Sequence, residues 1–206
     1  MVNYNMKRAD NMKKEKIFKT INIILIITMS IGGILIGGYY LTINEYVRSF
    51  SGLSILITML LPAIINQTKF KLTIQDTFFY YIFILLAHFL GSTVNLYQYI
   101  SWFDTFTHFI SGIVSFYAAY IILKRTKNLS KNKIINFLFF FGFISLVALS
   151  WEIIEYLADV IIKTNLQHNI ETGVGDTMCD MIVATIGGII SYLYYLYKIK
   201  IKKIKE

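Results

Sequence analysis

The residues of this chain best suited to chemistry are carboxylates and histidines placed inside apolar segments. They come in pairs spaced three or four residues apart, a spacing that puts both members on one face of a helix. These pairs are Asp104 with His108, Glu152 with Glu155, and Asp176 with Asp180. Ionisable side chains are rare in membrane-spanning helices unless they face a protein interior, a cavity or a functional site. The pairs therefore predict where the function of the chain lies.

Such groups support two kinds of chemistry. Crowded carboxylates in a low-dielectric setting become protonated, pair with a cation or bind a metal. With one or two imidazoles they suit Zn²⁺, Mn²⁺ or Fe²⁺, whereas carboxylates alone suit Mg²⁺ or Ca²⁺. They can also act as general acid and base if their pKa values differ. The candidate catalytic residues are Asp104, His108, Glu152, Glu155, Asp176 and Asp180, and the candidate ligands of a divalent metal are His108, Glu152, Asp180 and His88.

The chain that positions these groups has the composition of a membrane protein. Its 206 residues are 56% hydrophobic and include one proline, which is too apolar for a soluble domain of this size. A bilayer core of about 30 Å needs roughly 20 apolar residues at 1.5 Å per residue. Six segments qualify: Ile17–Leu41, Phe50–Asn66, Leu72–Leu96, Asp104–Leu123, Ile134–Ile162 and Asp176–Tyr197. The predicted fold is an all-α, polytopic integral membrane protein with about six transmembrane helices.

The basic residues predict the orientation of these helices. The net charge is +8, but Lys and Arg cluster between the apolar segments, which is typical of membrane topology and argues against nucleic-acid binding. Eighteen of them fall on one side of the six-helix arrangement, and only Arg48 and Lys163 fall on the other. The positive-inside rule then places both termini in the cytoplasm. We predict a cell-membrane protein with basic cytoplasmic tails at 1–16 and 198–206, a membrane domain at 17–197, and a polar site within about 72–197.

The cytoplasmic lysines also allow depths to be compared along four helices. At 1.5 Å per residue, four ionisable side chains on four helices lie at one level, about 24 to 28 Å from the nearest lysine. They are His88, His108, Glu152 and Asp180. Asp104, Glu155 and Asp176 form a second tier one turn further out. Because packed helices are 8–10 Å apart, we expect the first four side chains to face one cavity within about 10 Å of one another.

The charge balance on the outer side favours a function for this cluster. Eight of the twelve carboxylates fall there against two basic residues, which leaves six without a compensating charge. The eight are Glu45, Asp104, Glu152, Glu155, Asp159, Glu171, Asp176 and Asp180.

Several of these polar residues also have a purely structural interpretation. Asp104 and Asp176 open helices and could cap them. Glu155 and Asp159 could be hydrated interfacial residues, and His88 could bond a neighbouring helix. Two further features have a structural interpretation. Asp76 is typical of a helix start, and Gly33 with Gly37 favours close packing of the first helix against another helix.

Three segments carry a resemblance to a known family. They are Trp102-Phe-Asp-Thr-Phe-Thr-His-Phe109, Trp151-Glu-Ile-Ile-Glu-Tyr156, and Gly175-Asp-Thr-Met-Cys-Asp-Met181 followed by Gly187-Gly188. Together they resemble the YjdF-like family of predicted inner-membrane proteins and are distantly similar to VanZ-like proteins. The likeness spans about residues 75–198 and implies a membrane location and a shared polar site, but no reaction.

Departures from both families limit what the resemblance implies. Val174 and Met178 stand where YjdF-like sequences often carry Gln and Trp in the neighbourhood of the last motif. VanZ-like proteins tend to have Gln and Asn in place of Glu155 and Asp180, so their association with glycopeptide tolerance is not transferred.

Three classes of function fit these observations. The first is a metal- or acid/base-dependent enzyme acting on an envelope lipid or lipid-linked headgroup. In it His108, Glu152 and Asp180 are ligands or acid/base groups, Asp104 orients His108, and Asp176 and Glu155 complete the outer tier. The second is a cation or proton-coupled transporter that uses the acids as a relay, although the helix centres are nearly pure Ile, Leu and Phe. The third is a non-catalytic envelope or assembly protein. In each case the bilayer is a partner, and oligomeric state stays open.

Overall fold

The computed structural model describes residues 2–167 and 173–205, and most of these residues lie in helices. The helices are α1 (Val2–Thr42), α2 (Tyr46–Ile65), α3 (Ile74–Ile84), a π-helix (Leu85–Thr93), α4 (Leu96–Tyr99), α5 (Phe103–Arg125), α6 (Lys133–Ile162) and α7 (Gly175–Lys205). No strand occurs within these two ranges. The predicted all-α fold is confirmed.

Six helical segments in this part of the chain are long and apolar enough to cross a membrane. They are Asp10–Thr42, Tyr46–Ile65, Ile74–Thr93, Phe103–Arg125, Lys133–Ile162 and Gly175–Ile201. Each overlaps one of the six segments predicted from hydropathy. The third differs in kind, because α3 passes into a π-helix at Leu85 and the chain then turns at Asn95, whose φ is +71°. Hydropathy reports how apolar a segment is and is insensitive to this change of helix type.

The chain divides into two compact units, an N-terminal unit (Met1–Ser101) and a C-terminal unit (Trp102–Glu206). In the N-terminal unit, α1 and α2 pack at glycines. A Cβ atom at Gly33 would lie 2.5 Å from the carbonyl oxygen of Gly52, and one at Gly37 would lie 2.9 Å from that of Ser49. Small residues allow such close approach between membrane helices, so the Gly33–Gly37 pair serves close helix packing.

The start of α3 follows from a local hydrogen-bond motif. The Thr73 hydroxyl accepts from the Asp76 backbone N–H at 3.1 Å, and the Asp76 carboxylate accepts from the Thr73 N–H at 2.8 Å. This is a capping box, which satisfies two N–H groups that a helix start otherwise leaves unpaired. The interpretation of Asp76 as a helix-start residue is therefore confirmed.

The C-terminal unit is a bundle of α5, α6 and α7, in which α7 packs against both other helices. One half of this bundle is filled with aromatic side chains. The Phe116 and Phe140 rings have centroids 4.8 Å apart, and Tyr192 lies 5.6 Å from Phe140. These rings form a buried apolar core together with Ala119, Leu123 and Ile144. His108 and Asp104 on α5 and Asp180 on α7 lie about two to three turns along their helices from this core.

Candidate functional site

Helices α5 and α7 bring two aspartates to one histidine. The Nε2 atom of His108 lies 3.6 Å from Oδ1 of Asp104 and 3.7 Å from Oδ2 of Asp180. One ligand atom from each of the three residues lies within 4.8 Å of the other two. Asp104 and His108 share a face of α5 because they are one turn apart, whereas Asp180 reaches the group through tertiary packing. We call these three residues the Asp–His–Asp triad.

The packing of α5 on α7 sets the width of the triad. Gly112 lies one turn beyond His108 and packs directly against the carbonyl of Ala184, which lies one turn beyond Asp180. One turn further along α7, Gly187 packs in the same way against the Phe109 carbonyl. A side chain at either glycine would overlap the facing backbone. These small residues therefore hold the two helices close enough for His108 and Asp180 to meet.

Burial distinguishes the members of the triad. His108 and Asp180 are almost fully enclosed, with 6% and 2% of their surfaces exposed, whereas the Asp104 side chain is 21% exposed. Asp180 is among the largest fully buried side chains in the described ranges. Buried carboxylates persist only when protonated, paired or bound to a metal. The triad is therefore accessible from outside at Asp104, near the start of α5, and is enclosed by protein at Asp180.

Glu152 adds a third carboxylate from α6. It is 4% exposed, and neither carboxylate oxygen has a hydrogen-bond partner of acceptable geometry among the described residues. Its electrostatic neighbours include Asp176 and Asp180, and the polar side chains of Gln167 and Thr177 lie close by. An unpartnered buried carboxylate is costly. Glu152 is therefore the side chain in this unit whose burial most needs a ligand or a proton to explain it.

Glu155 and Asp176 surround this group at partly exposed positions. Glu155 accepts a hydrogen bond from the Trp151 indole at 2.7 Å and lies in the electrostatic field of Glu152, Asp104 and Asp180. Asp176 lies in the first turn of α7, which begins at Gly175, and Asp104 in the first turn of α5, which begins at Phe103. Both positions place negative charge at the positive end of a helix dipole, which is compatible with a structural role and with a role in a site.

Sequence reasoning missed Gln167 and Thr177. Gln167 is 7% exposed, and its side-chain amide donates to the backbone carbonyl of Glu152 at 3.3 Å and to the Thr177 hydroxyl at 3.2 Å. It thereby bridges the chain after α6 to the start of α7, beside Glu152. The position of Gln167 in a polar loop gave no indication of burial, and no periodicity marks it.

Asp159 organises the segment that carries Gln167. Its carboxylate accepts from the Thr164 hydroxyl at 2.6 Å and from the backbone N–H groups of Leu166 and Gln167 at 2.7 and 3.0 Å. Bonds to an ionised acceptor are stronger than neutral ones. The interpretation of Asp159 as a hydrated interfacial residue therefore omits its structural role, because these hydrogen bonds hold the chain that follows α6 against the end of that helix. Glu171, another of the eight outer acids, lies outside the described residues.

His88 lies on the π-helix of the N-terminal unit. Its Nε2 atom is 3.1 Å from the Ser54 hydroxyl and 3.0 Å from the Ser51 carbonyl oxygen, and its Nδ1 atom is 3.5 Å from the Thr58 hydroxyl. These partners on α2 agree with the interpretation of His88 as a packing histidine bonded to a neighbouring helix. Its place among the metal ligands stays a prediction.

A family model described as Predicted membrane protein (DUF2238) matches residues 19–200. The chain belongs to this family. The YjdF-like proteins are the same family, so the predicted resemblance is confirmed. No curated protein and no solved structure matches the chain.

Membership of DUF2238 extends the resemblance in one direction. The likeness seen in the sequence spans about residues 75–198, whereas the family match begins at residue 19 and includes most of α1 and all of α2. The family match therefore covers most of both compact units. The chain is a multi-pass membrane protein of this family.

Proposed function

We propose that this DUF2238 protein is a metal-dependent enzyme that acts on a lipid or lipid-linked headgroup. The observation that carries the proposal is the Asp–His–Asp triad. Two ligand atoms held about 2.1 Å from one ion in tetrahedral geometry are about 3.4 Å apart, close to the 3.6 and 3.7 Å separations around His108 Nε2. Both separations exceed those of direct hydrogen bonds. They leave room for an ion between the three side chains.

The charge of the triad matches a divalent metal. Two ionised aspartates and a neutral imidazole around a dication make a formally neutral group, which lowers the cost of burying the carboxylates. Mixed carboxylate and imidazole ligands favour Zn²⁺, Mn²⁺ or Fe²⁺ over Mg²⁺ and Ca²⁺. Asp104, His108 and Asp180 would be the three protein ligands, which is the number that catalytic zinc sites use.

Glu152 supplies the group that such chemistry needs. A divalent ion held by the triad would supply an activated water. Glu152 would take the proton of the attacking water and return it to the alcohol that is released when the ester bond breaks. Glu152 is assigned this base role because it is buried beside Asp180 and neither of its carboxylate oxygens makes a hydrogen bond of good geometry with the described residues, although Gln167 and Thr177 lie close to it. Glu155 and Asp176 add two further carboxyl groups around the triad and Glu152.

The surroundings of the triad favour a lipid substrate. Large apolar side chains next to the polar residues are exposed on the same helix ends: Trp102 is 60% exposed, Trp151 is 49% and Met178 is 51%. Trp is typical of the membrane interface, where lipid headgroups lie. A substrate in this layer reaches the acidic group without leaving the bilayer.

A relay through the protein is less well supported by the packing. Along α5 and α7 the polar residues give way to the buried core of Phe116, Phe140 and Tyr192. A proton or cation path needs polar groups or water at intervals of a few ångströms. The packed rings interrupt such a path within the C-terminal unit.

Metal analysis tests this proposal directly. The full chain, purified in detergent without chelator, is expected to carry close to one divalent transition-metal ion per protein by elemental analysis. Dialysis against a chelator should remove the ion and lower the unfolding midpoint in dodecyl sulfate, since binding to the folded state stabilises it. Full stability without any bound or added metal would refute the metal site and leave the acid/base enzyme, the relay and the non-catalytic envelope role as the alternatives.

The orientation of the site is a second proposal, supported by the charge count. Both termini, with the tails 1–16 and 198–206, are placed in the cytoplasm of the producing cell, and the triad faces outward. In a Cys179→Ser background, Lys131→Cys should react with thiol reagents only after permeabilisation, whereas Val174→Cys should react in intact cells. Both positions are exposed, so the side of the membrane on which each one lies decides whether the reagent reaches it. The reverse pattern would place the triad on the cytoplasmic face.

A further inference from the structure

The end of the C-terminal unit opposite the triad carries basic residues and no acidic ones. Between residues 105 and 151 the sequence has five Lys or Arg and no Asp or Glu, and between residues 181 and 205 it has five lysines and again no acid. The first five are exposed: Lys124, Arg125, Lys127, Lys131 and Lys133. Because these stretches supply no carboxylate to balance the charge, this end of the bundle favours an anionic partner.

Helices α5 and α7 run in the same direction and end together. Near the start of both helices, His108 lies beside Asp180. Three to four turns further along both, the rings of Tyr120 and Tyr195 have centroids 5.3 Å apart. The two helices are therefore parallel neighbours over this length, and the residues that follow the tyrosines lie at one end of the bundle.

Each helix of the bundle contributes a lysine at this end. The turn that follows the tyrosine contact carries Lys124 on α5 and Lys198 on α7, and both are exposed. Helix α6 begins at Lys133, whose carbonyl oxygen accepts a hydrogen bond from the Tyr192 hydroxyl of α7 at 2.8 Å. The packing of the three helices thus holds three lysine backbones at one end. We call Lys124, Lys133 and Lys198 the lysine cluster.

Tyrosine rings place the lysine cluster at the level of the lipid headgroups. The Nζ atom of Lys124 lies 5.6 Å from the ring centroid of Tyr120, and that of Lys198 lies 5.2 Å from the ring centroid of Tyr194. Tyrosine is enriched where the apolar layer of a membrane meets water, and a lysine there lays its stem along apolar surface while its ammonium group stays in the polar layer. The anion that this layer supplies is the phosphate of a membrane lipid.

We propose that the lysine cluster binds one anionic phospholipid through its phosphate. Three ammonium groups from three packed helices surround a single headgroup, and the acyl chains of the lipid stay in the bilayer beside the bundle. A zwitterionic headgroup is disfavoured because it brings a cation of its own toward the lysines. This site lies at the opposite end of the unit from the triad, and it depends neither on the proposed metal nor on the side of the membrane that this end faces.

Lipid retention by the full chain tests the proposal. The chain is reconstituted in nanodiscs with equal amounts of phosphatidylglycerol and phosphatidylcholine that carry the same acyl chains, and the lipids that stay bound on release are identified by native mass spectrometry. Phosphatidylglycerol should be retained in preference. Since a lysine close to an anionic headgroup changes affinity by about fivefold, Lys124→Gln and Lys198→Gln should each lower the retention ratio by about that factor.

A matched control removes the same number of charges from the N-terminal unit. Lys13, Lys14 and Lys16 are exposed on α1, where Asp10 and Glu15 offset their charge. Replacing these three lysines by Gln should leave the retention ratio close to that of the wild-type chain, whereas replacing all three lysines of the cluster by Gln should abolish the preference. Circular dichroism of each variant shows whether the helices are intact.

Two outcomes would overturn the proposal. Equal retention of both lipids by the wild-type chain would refute lipid binding and leave a soluble anion as the partner of this surface. An equal loss of preference in the two triple variants would show diffuse attraction by lysines in general and refute a site at the lysine cluster. The single variants keep the test decisive if the triple variant of the cluster does not fold.

Discussion

Replacing Asp180 by Asn is expected to reduce bound divalent metal at least tenfold. Loss of a group that only supports a metal ligand commonly costs about 10- to 100-fold in affinity, and Asp180 itself supplies an oxygen 3.7 Å from His108 Nε2. Asn retains the shape of the side chain but loses its charge. His108→Ala should have an effect of the same order, since it removes the imidazole at the centre of the triad. Elemental analysis of each purified variant gives the measurement.

The matched control for these variants is Glu45→Gln. Glu45 is an exposed acid before α2, where its side chain makes no capping hydrogen bond, so metal content should equal that of the wild-type chain. Stability provides an independent readout. If the triad holds a metal, Asp180→Asn should lower the unfolding midpoint. If it holds none, Asp180 is a buried carboxyl group beside Asp104 and Asp176 that gains nothing from being ionised, so its replacement by the neutral amide should not lower the midpoint. Unchanged metal content together with a midpoint that is not lowered would refute the proposed metal site.

Gly112→Ala is expected to be the most damaging small substitution in the C-terminal unit. A methyl group at this position would overlap the Ala184 carbonyl group, so α5 and α7 would have to move apart. Overpacking of this kind typically costs about 1–3 kcal/mol, and backbone overlap places it at or above the upper end, about 3 kcal/mol. The movement would also separate His108 from Asp180 and lower metal content. Unfolding in dodecyl sulfate and elemental analysis measure the two effects.

Gly142→Ala is the control for the same chemical change. A Cβ at Gly142 meets no atom within 4 Å, so only the helix propensity of α6 changes, which favours Ala by up to about 1 kcal/mol. This variant should be as stable as the wild-type chain or more stable, with unchanged metal content. If the two glycine variants behave alike, close packing at Gly112 does not set the width of the triad.

Local features of the site were predictable because they depend on spacing along one helix. Asp104 and His108 share a face of α5 by their four-residue separation, and Asp76 follows Thr73 at the distance of a capping box. The six spans were predictable for a similar reason. Hydropathy averaged over about 20 residues reports whether a segment is apolar enough to lie in the bilayer core. Each predicted segment overlaps a helical segment of the structure that is long enough to cross it.

Distances along each helix from the nearest lysine placed residues of different helices at one depth. They contain no information about where the helices lie in the plane of the membrane. In the C-terminal unit, His108, Asp180 and Glu152 are all buried, and Asp180 feels the charge of Glu152. His88 was assigned the same depth, and in the N-terminal unit its ring bonds Ser51 and Ser54 on α2. Equal depth is a necessary condition for a shared site, and depth by itself does not select which helices are neighbours.

Gln167 illustrates what local pattern cannot reveal. Its burial depends on Asp159 drawing the backbone of Leu166 and Gln167 toward α6, and on Thr177 at the start of α7 accepting its side-chain amide. None of these partners stands at a spacing that a helix or strand period would reveal. The change from α-helix to π-helix at Leu85 is a similar case, because the segment remains apolar across it.

By itself, the amino-acid sequence determined that this is an all-α, six-span membrane protein with acids and imidazoles in its helices, because hydropathy and helical spacing are properties of consecutive residues. The tertiary structure alone decided which of those residues meet. Lipid is as apolar as a leucine side chain, so hydropathy does not choose between helix neighbours in a membrane, and close packing at small residues does. Gly112, Ala184 and Gly187 allow α5 and α7 to pack closely against each other. Because of this close packing, His108 of α5 lies next to Asp180 of α7.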